Sequence, residues 1–350
     1  MSLLRVAVDV TELRPGAVGG VRTGLRLLLE ALRRHAPQID VVAIAPDGAD
    51  VPPEVRFEPT GGPSRPRLWR RSRALRRYLS GFDLFHSPVT AVPPFNGLPM
   101  TATVHELPFA VSESLEGPFR AFKQVYWLDR MLERCRACVV PSQATLQQMQ
   151  AAHPASVKIA HVVPHPCPPI PHGEPCVHDG SLLFVGRLER RKGVRALLLG
   201  ATDFTGAIRL VGPQPPHKRR QLERLLDGLD LDKRVEFLGV VGERALDGFY
   251  RRARAVALLS ASEGFGFPVL EALARGTPII VARGTGAAET GGEAALVVNP
   301  LQPVEIAGAL ERSGDEDYRR QIALEGPRRA ASFTPERTAR AYERIFLESA

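Results

Sequence analysis

Two glutamates stand eight residues apart in the string Glu263-Gly264-Phe265-Gly266-Phe267-Pro268-Val269-Leu270-Glu271. The apolar run before it, Ala255–Ser260, reads as a buried strand. Glycines at 264 and 266 let backbone amides come close to a ligand. Pro268 suits the start of a helix, where its missing N–H costs nothing, and Gly276 suits its end. A loop running into a helix start presents N–H donors and the positive end of a dipole, which favour an anion. Carboxylates accept hydrogen bonds from hydroxyl groups. Amides for a phosphate, flanked by carboxylates for hydroxyls, make the chemistry that a nucleotide-sugar needs. The alternative is an ordinary βα turn with two surface glutamates.

A second set has the same character. The stretch Gly186-Arg187-Leu188-Glu189-Arg190-Arg191-Lys192-Gly193 follows the predicted strand Ser181–Val185. Arg187 and Lys192 on a strand-end loop can neutralise a diphosphate, one through a bidentate fork and one as a point charge. Arg190 and Arg191 read as solvated charges. His105 closes the predicted strand Thr101–His105, and carboxyl ends of strands in an open α/β sheet face the crevice where ligands bind. A capping or core histidine fits that position too. Gly19 and Gly20 lie in a glycine-rich loop, Arg14–Gly24, between strand Leu3–Val10 and an amphipathic helix ending near His35. Their spacing does not match G-x-G-x-x-G, and no acidic residue closes the second strand, Val41–Ala45, so a nicotinamide dinucleotide is poorly supported. A flexible turn is the other reading.

These residues need a scaffold, and the pattern supplies one of alternating strands and helices. In the first half, strands are expected at Asp83–Ser87, from Cys138, and at Val157–Pro164. Pro46–Pro66 reads as an exposed loop, and the aromatics of helix Phe119–Arg134 read as core. In the second half, strands are expected at Ile208–Gly212, Val235–Gly239, Thr277–Ala282 and Ala295–Val298. Helices are expected at Lys218–Leu229, Leu246–Arg254, Val304–Arg312, Asp317–Ser332 and Thr334–Ser349, with Arg283–Gly292 a loop. The Pro-rich stretch 165–180 reads as a linker. The expected organisation is therefore a first domain at 1–164, a second at 181–333, and a last helix at 334–350.

At 350 residues and 44% hydrophobic, the chain has the length and apolar content for two packed cores. No apolar run is long enough to span a bilayer, and the opening MSLLRVAVDV reads as a strand rather than a secretion signal, so a cytoplasmic protein is expected. Cys135, Cys138, Cys167 and Cys176 lack paired zinc spacing and read as reduced structural thiols. Asp230-Leu231-Asp232 spells D-x-D but sits at a helix exit, so no metal is expected. The net charge of +8 comes without a nucleic-acid motif. The segment Arg65–Leu79, with Leu68, Trp69, Leu75 and Tyr78 among its arginines, fits either a helix packed on its own domain or one touching anionic lipid.

The string Glu263–Glu271 resembles the E-x7-E signature of the retaining glycosyltransferases of family GT4 (group 1). The resemblance extends to Gly186–Gly193, which is similar to the family's G-R-L-x-x-x-K-G diphosphate element. Val104-His105-Glu106 is similar to its V-H-D, with Glu106 where Asp is usual. Pro164-His165-Pro166 departs from the usual N-G-V. The likeness is strong from Ser181 to Pro300 and looser before. It implies the GT-B fold: two Rossmann-like doubly wound domains facing a central cleft, with a C-terminal helix crossing back to the first. It implies a nucleotide diphosphate-sugar donor, a mannose- or glucose-type hexose, and a glycan, lipid-linked or small-molecule acceptor held by the first domain, with retained anomeric configuration. It assigns Arg187, Lys192 and the Gly264–Phe267 loop to the diphosphate, Glu271 to the ribose, Glu263 and His105 to the sugar, the loop at Val240 to the base, and Gly19 and Gly20 to a loop over the cleft. No cofactor or metal is implied. An NDP-sugar epimerase or hydrolase on the same fold, or a non-catalytic nucleotide-sugar-binding protein, are the competing readings.

Overall fold

The computed structural model describes residues 3–62, 73–89, 98–107, 126, 128–171 and 177–350. The chain forms two compact units, Met1–Pro166 with Phe333–Ala350, and Cys167–Ser332.

Among the described residues, the first unit has a parallel sheet of seven strands: β1 (Leu4–Asp9), β2 (Ile39–Ala45), β3 (Arg56–Pro59), β4 (Leu84–Ser87), β5 (Met100–Thr103), β6 (Ala137–Val140) and β7 (Ala160–Val162). The order is β3-β2-β1-β4-β5-β6-β7. Strand order reverses between β1 and β4, which creates the doubly wound switch point. The central strands β4 and β5 are buried along their whole length, as expected of strands covered on both faces. Helices α1 (Gly20–His35), α2 (Arg73–Tyr78) and α3 (Gln143–Ala152) belong to this unit. Ser142 caps α3, its hydroxyl accepting the Thr145 N–H at 3.1 Å.

Two local expectations need correction. Within Pro46–Pro66, Arg56–Pro59 is a strand rather than loop, paired with Val42–Ala45 of β2. It lies at the sheet edge, where a proline can end a strand without breaking a ladder. The expected strand Val157–Pro164 shortens to Ala160–Val162, because Pro154–Ile159 forms a 3₁₀ turn. Leu75 and Leu79 are buried in the core with Phe85 and Met100, while Arg73, Arg76 and Arg77 are exposed. The first part of Arg65–Leu79, including Leu68 and Trp69, lies outside the described residues, as does most of Phe119–Arg134.

The second unit has, among the described residues, a parallel sheet of six strands: β8 (Ser181–Val185), β9 (Ile208–Val211), β10 (Val235–Gly239), β11 (Ala253–Leu258), β12 (Ile279–Ala282) and β13 (Ala295–Val298), ordered β10-β9-β8-β11-β12-β13. Its helices are α4 (Val194–Gly200), α5 (Pro216–Leu229), α6 (Glu243–Arg252), α7 (Phe267–Leu273), α8 (Gly286–Gly291), α9 (Pro303–Arg312) and α10 (Glu316–Ala331). Helix α8 lies where a loop was expected. It is one short turn, capped by Thr285 accepting the Ala288 N–H, and too brief for periodicity to show. Leu182, Phe184, Leu198, Leu210 and Ile280 centre this unit's core.

The last helix, α11 (Pro335–Ser349), belongs to the first unit. Tyr342, Ile345 and Phe346 bury against Leu25 and Leu29 of α1. The Tyr342 hydroxyl lies 3.0 Å from Thr103 Oγ1, and Thr338 Oγ1 donates to the Pro164 carbonyl at 2.9 Å. The chain therefore returns to its first unit to finish that core. Among the described residues, no helix is long and apolar enough to cross a membrane.

Candidate active site

In the second unit strand order reverses between β8 and β11, so the loops leaving those neighbouring strands face the same crevice. They are tied together closely. The Ala261 N–H donates to the Arg191 carbonyl at 2.7 Å. Gly193, at φ +75°, sits so near β11 that an added Cβ would lie 2.0 Å from the Leu259 carbonyl oxygen. No residue with a side chain fits there, and that contact seats Lys192 over the second loop. Lys192 Nζ donates to Glu263 Oε2 at 2.8 Å, with both side chains 15% exposed. Ser260 Oγ donates to the same oxygen at 3.1 Å. The Gly286 N–H holds the Glu263 carbonyl at 2.7 Å, which adds the β12 loop to the assembly.

Glu271 lies one turn into α7, and its carboxylate meets the Tyr250 hydroxyl at 2.5 Å. Burial raises its pKa, opposed by that hydrogen bond and by Arg275. Arg275 lies 4.9 Å from the Tyr250 ring centre, donates to the Glu271 carbonyl at 2.6 Å, and pairs with Asp247 at 2.8 Å. Arg251 holds the other Asp247 oxygen at 2.8 Å. Gly264, Phe265, Gly266 and Phe267 are buried, with the two phenylalanine rings edge to face at 5.3 Å. Gly266 adopts φ +87° as the residue before α7, a left-handed conformation that suits glycine.

Arg187 shares the β8 loop with Lys192. Its side chain is 46% exposed and pairs with Glu189 at 3.4 Å. Arg191, expected as a solvated charge, is instead held by Glu189 at 3.0 Å with only 17% exposure. Val240 is 66% exposed, just past the edge strand β10.

In the first unit, Gly19 precedes α1 with φ +129° and open space around it, and Gly20 begins the helix. His105 follows β5, where Nε2–H donates to the Pro88 carbonyl at 2.9 Å. Its ring stacks on His165, 14° from parallel with centroids 5.3 Å apart. Burial pushes the His105 pKa down to about 4 and that of His165 to about 3. His165, expected to begin a linker, is 5% exposed. His86 is buried between Thr101 and Thr103, with Nδ1 2.9 Å from Thr101 Oγ1, and its pKa falls to about 3 through desolvation.

Lys192 and Glu263 thus meet directly, with Arg187 in the lysine's loop and Glu271 on the helix after the glutamate's. His105, Gly19 and Gly20 belong to the other unit. Sequence reading missed Ser260, Tyr250, Asp247, Arg275 and His165. Only Ser260, a polar residue ending an apolar strand, carried a local signal. Among the described residues, no group of three or more His, Cys, Asp or Glu side chains is placed to hold a metal, and Cys135, Cys138 and Cys167 are free thiols.

Residues 179–314 match the family described as glycosyl transferases group 1, and residues 18–169 match glycosyltransferase family 4. A D-inositol 3-phosphate glycosyltransferase of Corynebacterium urealyticum is 36% identical over 170 residues, 45% of this chain and 40% of the relative. An O-antigen chain mannosyltransferase B of Escherichia coli is 29% identical over 165 residues, 46% of this chain and 43% of the relative. The chain thus spans about two fifths of the length of these curated relatives. In overall structure it is similar to sucrose-phosphate synthase of Thermosynechococcus elongatus, with a TM-score of 0.79 at 22% identity, covering 99% of this chain and 98% of the other. It is also similar to the Anabaena protein HepE, solved in complex with UDP-glucose, with a TM-score of 0.73 at 15% identity, covering 99% and 100%. These likenesses agree with two Rossmann-like units of the GT-B type.

Proposed function

We propose that this chain, which belongs to the group 1 and family 4 glycosyltransferases, moves a hexose from a nucleotide diphosphate-sugar to an acceptor with retention at the anomeric carbon. A mannose- or glucose-type sugar is the reading, and a glycan, lipid-linked or small-molecule acceptor. The observation that carries it is the Lys192–Glu263 contact at the switch point of the second sheet. Binding a diphosphate there exchanges partners. The lysine leaves Glu263 for a phosphate oxygen, and Glu263 becomes an acceptor for sugar hydroxyls. Arg187, exposed in the same loop, adds a second cation. Positive charge aimed at the leaving diphosphate stabilises the transition state by several kcal/mol. Glu271 offers its carboxylate to the ribose while Tyr250 fixes its orientation. His105 is assigned to the donor sugar by the family resemblance.

Because two side-chain cations can meet the diphosphate, the proposal includes turnover without a divalent metal. It also includes contact between Arg65–Leu79 and anionic lipid, supported by the exposed Arg73, Arg76 and Arg77. The test is NMR of the product formed from an α-linked donor, with EDTA present and the acceptor free or in anionic vesicles. An α-linked product at undiminished rate in EDTA is expected. A β-linked product overturns retention, restoration by Mn²⁺ overturns metal independence, and donor consumption without acceptor points to a hydrolase or epimerase.

A further inference from the structure

His165 carries the inference, which rests on the role proposed for His105. The His105 tautomer follows from its contact. The Pro88 carbonyl only accepts, so Nε2 bears the hydrogen and the neutral ring keeps its lone pair on Nδ1. One face of that ring is covered by His165, nearly parallel at 5.3 Å. His165 in turn lies against α1 at Gly24, where an added Cβ would be 2.8 Å from its Cε1 and 3.0 Å from its Nδ1. Gly24 stood in the glycine-rich stretch that failed the dinucleotide spacing, and this packing gives it a physical reason. The chain of contact runs from helix backbone to His165, to His105, to the Pro88 carbonyl. It leaves little room for the His105 ring to flip.

We propose that His165 is a positioning residue: wedged on Gly24, its ring holds His105 in the Nε2–H tautomer, with Nδ1 presented as a neutral acceptor. Desolvation acts in the same direction, since both rings favour the uncharged form. His86, buried beside Thr101 and Thr103, is a further titratable group coupled to His105, and it is uncharged for the same reason.

The test uses the full chain with ¹⁵N-labelled histidine, in wild type, His165→Ala, His165→Phe and Gly24→Ala. Imidazole ¹⁵N shifts report the tautomer and titration of His105, assigned through its loss in His105→Gln. Transfer assays report kcat, and nucleoside diphosphate binding monitors the second unit. In His165→Ala the single tautomer is expected to give way to exchange, with His105 titrating closer to its ordinary pKa of about 6.5. Turnover is expected to fall about tenfold or more, as for misplaced catalytic groups, with nucleoside diphosphate affinity unchanged. Gly24→Ala, which displaces the ring, is expected to behave likewise. His165→Phe keeps a flat ring and is expected to retain the tautomer and most of the turnover. A folded His165→Ala with unaltered His105 tautomer and kcat overturns the proposal, as does equal loss in the alanine and phenylalanine variants. If no variant, wild type included, transfers sugar, the assigned activity fails separately and the tautomer measurement alone decides whether His165 positions His105.

Discussion

Lys192 and Glu263 neutralise each other in the structure, 2.8 Å apart and each 15% exposed. On the proposed reading such a pair is a resting state, since an ammonium with three N–H donors and a carboxylate with two oxygens can each take a new partner. Glu271 differs, since one of its oxygens is already committed to Tyr250 at 2.5 Å. Tyr250→Phe removes that donor and leaves a partly buried carboxylate short of a hydrogen bond, at a cost of about 1.5–3 kcal/mol. The expected result is a donor KM raised roughly tenfold or more with kcat little changed, the mark of lost uniform binding. Steady-state kinetics check it, and an unchanged KM contradicts the role given to the tyrosine. Glu263, Lys192 and Arg187 were legible as candidates because their types suit the chemistry and each lies on a segment leaving a strand, and Glu271 because it stands on the helix that the Glu263 loop opens. Tyr250, Arg275 and Asp247 were not. They read as ordinary residues of two helices, and only tertiary packing makes them one network.

Elements decide whether those side chains meet. The β8 and β11 loops approach so closely because Gly193 has no side chain to keep them apart. Gly193→Ala combines a left-handed backbone at φ +75° with a Cβ driven into a carbonyl oxygen. It is expected to lower stability by about 1–3 kcal/mol and to weaken nucleoside diphosphate binding by pushing the loop that carries Lys192 away from β11. Denaturant melts and calorimetry on the variant check both, and native affinity at native stability contradicts this account of the loop. Alternating strands and helices were readable because fully buried parallel strands leave long apolar runs. β3 and α8 were not: Arg56-Phe57-Glu58-Pro59 is an edge strand with no apolar run, and α8 is too short for its period to register. His165 was misassigned for a related reason: its prolines signal a linker, yet the stack on His105 and the fit to Gly24 are long-range contacts.

Across the molecule, three buried histidines set the response of the first unit to acid. His86 and His165 fall to pKa values of about 3 and His105 to about 4, all through desolvation. Their unfolded value is about 6.5, so below that pH the unfolded chain takes up protons that the folded unit refuses. Stability is therefore expected to fall as the pH drops from 6.5, by about 1.4 kcal/mol per pH unit for each histidine. The loss levels off only when the folded groups themselves protonate, near pH 3–4. Unfolding free energies at pH 7 and pH 5 check this, and His165→Phe should reduce the slope. A stability independent of pH over that range contradicts neutral burial of these rings.

The central claim is that the second unit holds a nucleotide diphosphate-sugar through Lys192. The direct measurement is a thermal-shift panel of UDP, GDP, ADP, dTDP and their sugars on wild type and Lys192→Met. A ligand at about 100 times its Kd adds roughly 2.7 kcal/mol to the folded state, well within what a melt resolves. The account predicts that one nucleotide raises the wild-type midpoint, and that Lys192→Met reduces this shift through an affinity lowered about tenfold or more, the worth of a charge-assisted hydrogen bond. No shift with any of them, or an equal shift in the variant, would contradict it.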